Sequence, residues 1–222
     1  MSSELLAPIH SDAAGFVLAG GQSTRMGRDK ALVPFAGRPL IEHTLATLRE
    51  AGLPASIAGG QPALAACAPL IPDAHPALGP LSGICAALAS TSAPLAVFVP
   101  VDLPLLPASL LQYLLRHAQL SGDPITLASV NGFAQTFPVV LDCSITPLLE
   151  NQLHTSQRGC FAAFQAAAEA LNQSIGIVPV EHLVQAGQVV HPRGLPACRW
   201  FLNLNREADL RLAEPHARPL IA

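Results

Sequence analysis

Apolar residues in this chain gather into short runs broken by small and polar ones, and the runs alternate between two periodicities. Continuous apolar runs at 16–19, 55–58, 70–71 and 95–101 read as buried strands, which lack the spaced polar positions of an amphipathic helix. The strongest is Leu95-Ala96-Val97-Phe98-Val99-Pro100-Val101. Between these runs, 39–50 carries Leu40, Ile41, Leu45 and Leu48 near the helical period and is followed by Gly52 and Pro54 as stop signals. Segments 81–90 and 108–120 read as further helices. Two strands, 125–129 and 137–141, then flank Asn131-Gly132, a hairpin turn signal. Helices are expected at 146–153, 160–171 and 206–212, and late strands at 175–178 and 200–203. The stretch 179–197 shows no period.

Strands alternating with helices predict an α/β fold: one three-layer, Rossmann-like domain with a mostly parallel sheet covered on both faces by right-handed crossovers. Its expected extent is 15–215, behind a disordered leader at 1–14. Ligands of such sheets bind outside the carboxyl ends of the strands. Two polar features occupy that position here, the glycine-containing loop after the first strand and Asp102 after the strongest one.

Composition narrows the function. Half of the 222 residues are hydrophobic, yet the most apolar segment, 95–101, stops at Asp102 after seven residues. A spanning helix needs roughly 18 or more, so no membrane partner is expected. A net charge of -3 argues against a nucleic-acid surface. The five cysteines form no C-x-x-C pair, and no secretory signal is visible. The expected localisation is cytoplasmic.

Only one lysine occurs in the chain, Lys30, and it closes Leu18-Ala19-Gly20-Gly21-Gln22-Ser23-Thr24-Arg25-Met26-Gly27-Arg28-Asp29. Small residues let backbone N–H groups approach an oxyanion, and an ammonium adds a point charge to the same anion. The stretch therefore reads as a phosphate cradle using Lys30 and Arg25. It is not a Walker loop, which needs glycine immediately before its lysine. Nor is it the dinucleotide fingerprint, since Gly20 and Gly21 are adjacent. Asp102, ending an apolar strand, needs a partner if buried, and Mg²⁺ is a natural one; capping the next turn is the alternative. Asp73 suits either a turn or a nucleotide contact. Asn205 suits either a helix N-cap or a place beside the metal. Asp29, a carboxylate among phosphates, is expected to hold Arg25 or the loop backbone.

Leu18-Ala19-Gly20-Gly21, Arg25-Met26-Gly27 and Asp29-Lys30 together resemble the signature of nucleotidyltransferases that activate a phosphorylated acceptor with a nucleoside triphosphate. The two-glycine form is similar to the molybdenum cofactor guanylyltransferases. Asp73, Gly79-Pro80-Leu81-Ser82-Gly83-Ile84, Pro100-Val101-Asp102-Leu103-Pro104, Gln135 with Pro138, and Asn203-Leu204-Asn205 with Asp209-Leu210 extend the resemblance over 16–212. It implies transfer of GMP from GTP to the phosphate of molybdenum-molybdopterin, with Mg²⁺ as cofactor. It assigns Leu18, Ala19, Gly20, Gly21, Lys30, Asp73 and Asp102 to the nucleotide, Asp102 to the metal, and Arg25, Lys30 and Asp102 to catalysis. Transient contact with molybdoenzymes or cofactor chaperones follows from such a product. The chain departs from the family in Ala58-Gly59-Gly60-Gln61, where asparagines are common, so a base-reading side chain is either missing or supplied by Gln61. It departs again in Arg206-Glu207, where Thr-Pro is usual. Cytidylyl or sugar-1-phosphate transfer, and non-catalytic cofactor delivery, are the competing readings.

Overall fold

Strand β1 (Ala13–Leu18) is buried along its whole length. Its side chains alternate between two apolar layers, Ala13 and Val17 facing one, and Ala14, Phe16 and Leu18 the other. That alternation without a polar face is the mark of a central strand covered on both sides. The structure is a computed structural model and describes residues 12–20, 29–73, 75, 78–155 and 159–217.

After β1 the described chain resumes in a 3-10 turn, Lys30–Leu32, and a small hairpin of β2 (Pro34–Phe35) and β3 (Arg38–Pro39). Ala36 and Gly37, at φ 46 and 83, make its left-handed two-residue turn. Helix α1 (Leu40–Glu50) then crosses to β4 (Ala55–Ala58) and β5 (Leu70–Ile71), and α2 (Pro80–Ser90) returns to β6 (Leu95–Pro100). Helix α3 (Ala108–Ser121) leads to the antiparallel pair β7 (Ile125–Val130) and β8 (Phe133–Asp142). The remainder is α4 (Thr146–Gln152), α5 (Cys160–Ala170), β9 (Gly176–Pro179), α6 (Val180–Gln185), α7 (Ala197–Trp200) and α8 (Glu207–Ala217).

Seven strands form the main sheet in the order β5-β4-β1-β6-β8-β7-β9, with β8 antiparallel to both neighbours and every other pairing parallel. Helices α1 and α3 cover one face. Leu110, Leu111, Leu114 and Leu115 of α3 are at most 1% exposed, and each contributes about 1.5–3 kcal/mol of burial. Helices α2, α4 and α5 cover the other face through Ile84, Leu88, Leu149 and Phe164. The chain leaves β1 toward β4 on one side and later returns to β6 on the other. A crevice therefore opens at the carboxyl end of β1, the switch point where such sheets take ligands.

The structure departs from these expectations or adds to them at several points. Residues 200–203 are not a strand: α7 ends at Trp200, whose indole N–H donates to the Leu195 carbonyl at 2.8 Å, and the chain continues as an irregular strap. A short apolar run buried by docking a loop looks the same in sequence as a short strand. The patternless 179–197 contains α6, which buries Val180 and Leu183. The small hairpin of β2 and β3 is new. The regular structure also exceeds 15–215 by two residues at each end, since β1 begins at Ala13 and α8 runs to Ala217. The expected leader before residue 12 lies outside the described residues.

Candidate active site

Parallel pairing of β1 with β6 puts Leu18 level with Pro100, so the residues following each strand emerge side by side. The Val101 N–H donates to the Leu18 carbonyl at 3.1 Å, and the Ala19 N–H donates to the Ala58 carbonyl at 3.1 Å. The first strand thus opens into its loop with its backbone tied on both sides. A cleft of about 480 Å³ lies above these ends, with Leu18, Ala19 and Gly20 on its wall.

In the lining of the cleft Lys30 meets Asp102. Its ammonium donates to Asp102 Oδ2 at 2.8 Å and to Asn205 Oδ1 at 2.5 Å, joining residues 72 and 175 positions apart. The Lys30 and Asp102 side chains are 15% and 19% exposed, so the pair is sheltered yet open to the cleft. The carboxylate's partner in this structure is therefore the lysine. Asp29 caps the 3-10 turn, accepting from the Ala31 N–H at 3.0 Å. That anchors the turn from which Lys30 projects, the backbone role expected of Asp29.

Asp73 stands on the β4 side, in a small extension of the crevice walled by Leu18, Gly20, Gly59 and Gly83. Its Oδ1 accepts from the Ser82 hydroxyl and from the His75 N–H at 2.8 Å. Gly20 and Gly59 come together closely here: a Cβ on Gly59, whose φ is +72, would lie 3.2 Å from the Gly20 Cα. A side chain at 59 is therefore disfavoured by both contact and backbone conformation. Gln61 is exposed and lines neither cavity. Gly21 and Arg25 lie outside the described residues.

Asn205 reads in the sequence as either a helix cap or a site residue; in the structure it lines the cleft and its Oδ1 accepts from Lys30. Capping is done instead by Asp209, whose Oδ2 accepts from the N–H groups of Asn205 and Arg206 at 3.0 and 2.8 Å. The strap that carries Asn205 is pinned by Leu204, 1% exposed, whose N–H donates to the Asp102 carbonyl at 3.0 Å. Ser82, Phe137 and Arg206 also border the site without having been singled out. Ser82 lies within the quoted Gly79–Ile84 motif, so a hydroxyl three residues past a glycine turn was the available signal.

Asp102 and Asn205 present two oxygen donors to one cationic point, now occupied by the Lys30 ammonium. This is a donor set that suits Mg²⁺, which takes oxygen ligands and keeps room for waters and phosphates. Among the described residues there is no cluster of three or more His, Cys, Asp or Glu, so a metal cage made of protein ligands alone is not formed. A cation beside the backbone of Ala19 and Gly20 in one cleft is equipped to bind and orient phosphate groups.

Comparison with known proteins agrees with that geometry. A molybdenum cofactor guanylyltransferase of Rhizobium meliloti is 32% identical over 218 residues, covering 94% of each chain. One from Xanthomonas euvesicatoria pv. vesicatoria is 50% identical over 107 residues, 47% of this chain and 54% of that relative. Among solved structures, molybdopterin-guanine dinucleotide biosynthesis protein A from Archaeoglobus fulgidus superposes with a TM-score of 0.72 at 21% identity, covering 92% of this chain and 98% of that one. It shares the three-layer fold. Residues 15–178, which include β1, Lys30, Asp73 and Asp102, match the family described as the MobA-like NTP transferase domain, and the chain belongs to that family.

Proposed function

We propose that this chain transfers GMP from GTP to the terminal phosphate of molybdenum-molybdopterin, forming the guanine dinucleotide cofactor and releasing pyrophosphate. The observation that carries the proposal is the meeting of Lys30, Asp102 and Asn205 beside the Gly20 loop. The names borne by the relatives support the choice of nucleotide and acceptor.

In this reading a phosphate oxygen of the acceptor attacks the α-phosphorus of GTP. One P–O bond forms there, the bond to the β-phosphate breaks, and pyrophosphate leaves. Such transfers need positioning and charge neutralisation more than covalent help. The backbone from Leu18 to Gly21 holds the nucleotide, with Asp73 on the β4 side. The absence of a side chain at Gly20 leaves room for the purine edge. Lys30, with Arg25, moves onto the β- and γ-phosphates as their charge grows, which frees Asp102 and Asn205. Mg²⁺ held by those two residues supplies Lewis acidity to the phosphate oxygens. No general base is required, because a terminal phosphate is already largely ionised near neutral pH.

The setting proposed is the cytoplasm, in keeping with five free thiols. No described helix is long and apolar enough to cross a membrane. Transient docking to molybdoenzymes or cofactor chaperones would pass the product on. The test compares turnover of GTP, CTP and ATP with molybdenum-molybdopterin for the unmodified protein and Asp102→Ala. GTP is expected to be preferred, and Asp102→Ala to lose roughly 10²–10³ in turnover with weaker loss of nucleotide binding. Preference for CTP overturns guanylyl transfer, and full turnover by Asp102→Ala removes the carboxylate from the reaction.

A further inference from the structure

We propose that Ser82 is a positioning residue of this site, acting through Asp73; the proposal rests on the nucleotide role given to Asp73 above. Asp73 lies two residues past β5, where the Gly59 N–H still ties the chain to the sheet by donating to the Ile71 carbonyl at 2.9 Å. Beyond that point the hydrogen bonds described for the Asp73 side chain fall on Oδ1. The one from the His75 N–H, at 2.8 Å, joins residues two positions apart and travels with the loop. The one from the Ser82 hydroxyl reaches nine positions along the chain, to the first turn of α2. Ser82 is 2% exposed, and its neighbours Leu81, Ile84 and Cys85 are packed into the apolar layer beneath the sheet. The hydroxyl thus ties a loop carboxylate to the rigid helical layer.

With Oδ1 held in this way, Oδ2 is turned to the side of Gly83, where a Cβ on that glycine would lie 3.8 Å from it. That is the crevice extension bordered by Gly20, Gly59, Asp73 and Gly83. An ionised carboxylate oxygen can only accept. The phosphates of GTP repel it, and the donors on GTP are the N–H groups of the base and the ribose hydroxyls. Ser82 therefore acts on the binding of the nucleoside and not on the departure of pyrophosphate. Without the hydroxyl the Asp73 side chain is free to leave its staggered position for another, and the His75 N–H fixes it only to its own loop. Helix propensity alone favours alanine at 82, and a buried hydroxyl needs a partner. The partner it has is the carboxylate that faces the crevice.

The experiment measures the dissociation constant of GTP, kcat, KM for GTP and thermal midpoint for the unmodified chain, Ser82→Ala, Asp73→Ala and the double variant Ser82→Ala/Asp73→Ala. Ser82→Ala is expected to weaken GTP binding about three- to tenfold, the net contribution of one hydrogen bond. KM should rise in step, with kcat kept within about twofold. Inhibition by tripolyphosphate, which has no nucleoside, should be the same with and without the hydroxyl. In the Asp73→Ala background, Ser82→Ala should weaken GTP binding no further, because residues acting through one another are non-additive. ITP, which lacks the exocyclic amine, and deoxyGTP, which lacks one ribose hydroxyl, locate the donor. The loss caused by Ser82→Ala shrinks with the first if the base amine meets Asp73, and with the second if the ribose does. An equal further loss in the Asp73→Ala background, or an equal loss for tripolyphosphate, makes Ser82 a packing residue and overturns the proposal alone. Full GTP binding by Ser82→Ala beside weakened binding by Asp73→Ala does the same. Full GTP binding by Asp73→Ala instead removes Asp73 from the nucleotide, and both readings fall. Turnover of GTP against CTP by the unmodified chain tests guanylyl transfer separately.

Discussion

Replacing Lys30 by methionine keeps an unbranched stem and deletes the charge, so it separates what the ammonium does for the fold from what it does for a triphosphate. Breaking a fully buried ion pair costs about 3–5 kcal/mol, while exposed pairs contribute about 0.2–1 kcal/mol. The Lys30 and Asp102 side chains are 15% and 19% exposed and border a cleft of about 480 Å³. The orphaned carboxylate can therefore rehydrate, which sets the expected destabilisation at about 1–2 kcal/mol. For a chain of this length that is a fall of roughly 2–8 °C in thermal midpoint. Loss of a charged donor to the transition-state phosphates should cost more, about 2.7–4 kcal/mol, or roughly 10²–10³ in kcat/KM. Urea titrations give the first quantity and steady-state transfer from GTP the second. A destabilisation of about 3–5 kcal/mol with a loss of kcat/KM no larger in free energy would refute the reasoning, because the lysine would then be a structural partner of Asp102 only.

Two further outcomes follow from buried groups away from the cleft. Burial lowers the pKa of His43 below 6.5, with Arg38 and Arg193 adding to the effect against Glu42 and the bond to the Phe35 carbonyl. The folded state then binds fewer protons than the unfolded one below about pH 6.5, so this contribution is complete above that pH and is lost as pH falls. Between pH 7.5 and 5.5 the unfolding free energy from urea titrations should fall, by up to about 1.4 kcal/mol per pH unit for this group, and His43→Gln should flatten the slope; an unchanged slope in His43→Gln is the contrary result. Burial also pushes Cys85 and Cys160 up to about 12 and Cys143 to about 11, whereas Cys198 is exposed. Iodoacetamide at pH 8 should modify Cys198 first and reach Cys85 and Cys160 only after unfolding, since the thiolate is the reactive form; native-state labelling of Cys85 at the rate of Cys198 contradicts the packing.

Much of this architecture is written in local pattern. The apolar runs of β1 and β6, the helical spacing of Leu40, Ile41, Leu45 and Leu48, and the stop at Gly52 are properties of neighbours in the chain, and each element formed where they pointed. The same holds for Lys30 as a lone ammonium beside a glycine loop and for Asp102 at the end of an apolar strand. Local pattern fails where two outcomes share one sequence. Trp200 to Asn203 has the composition of a strand, but the indole at the end of α7 and Leu204 on the strap fill the core without joining the sheet. Asn205 reads in the sequence as a helix cap or a site residue, and only the fold brings its Oδ1 to the Lys30 ammonium from 175 residues away. Likewise Lys30 and Asp102 meet only because parallel pairing sets the ends of β1 and β6 level. Periodicity and turn chemistry act over a few residues, whereas a shared partner for distant side chains exists only once the sheet has brought them within hydrogen-bonding distance.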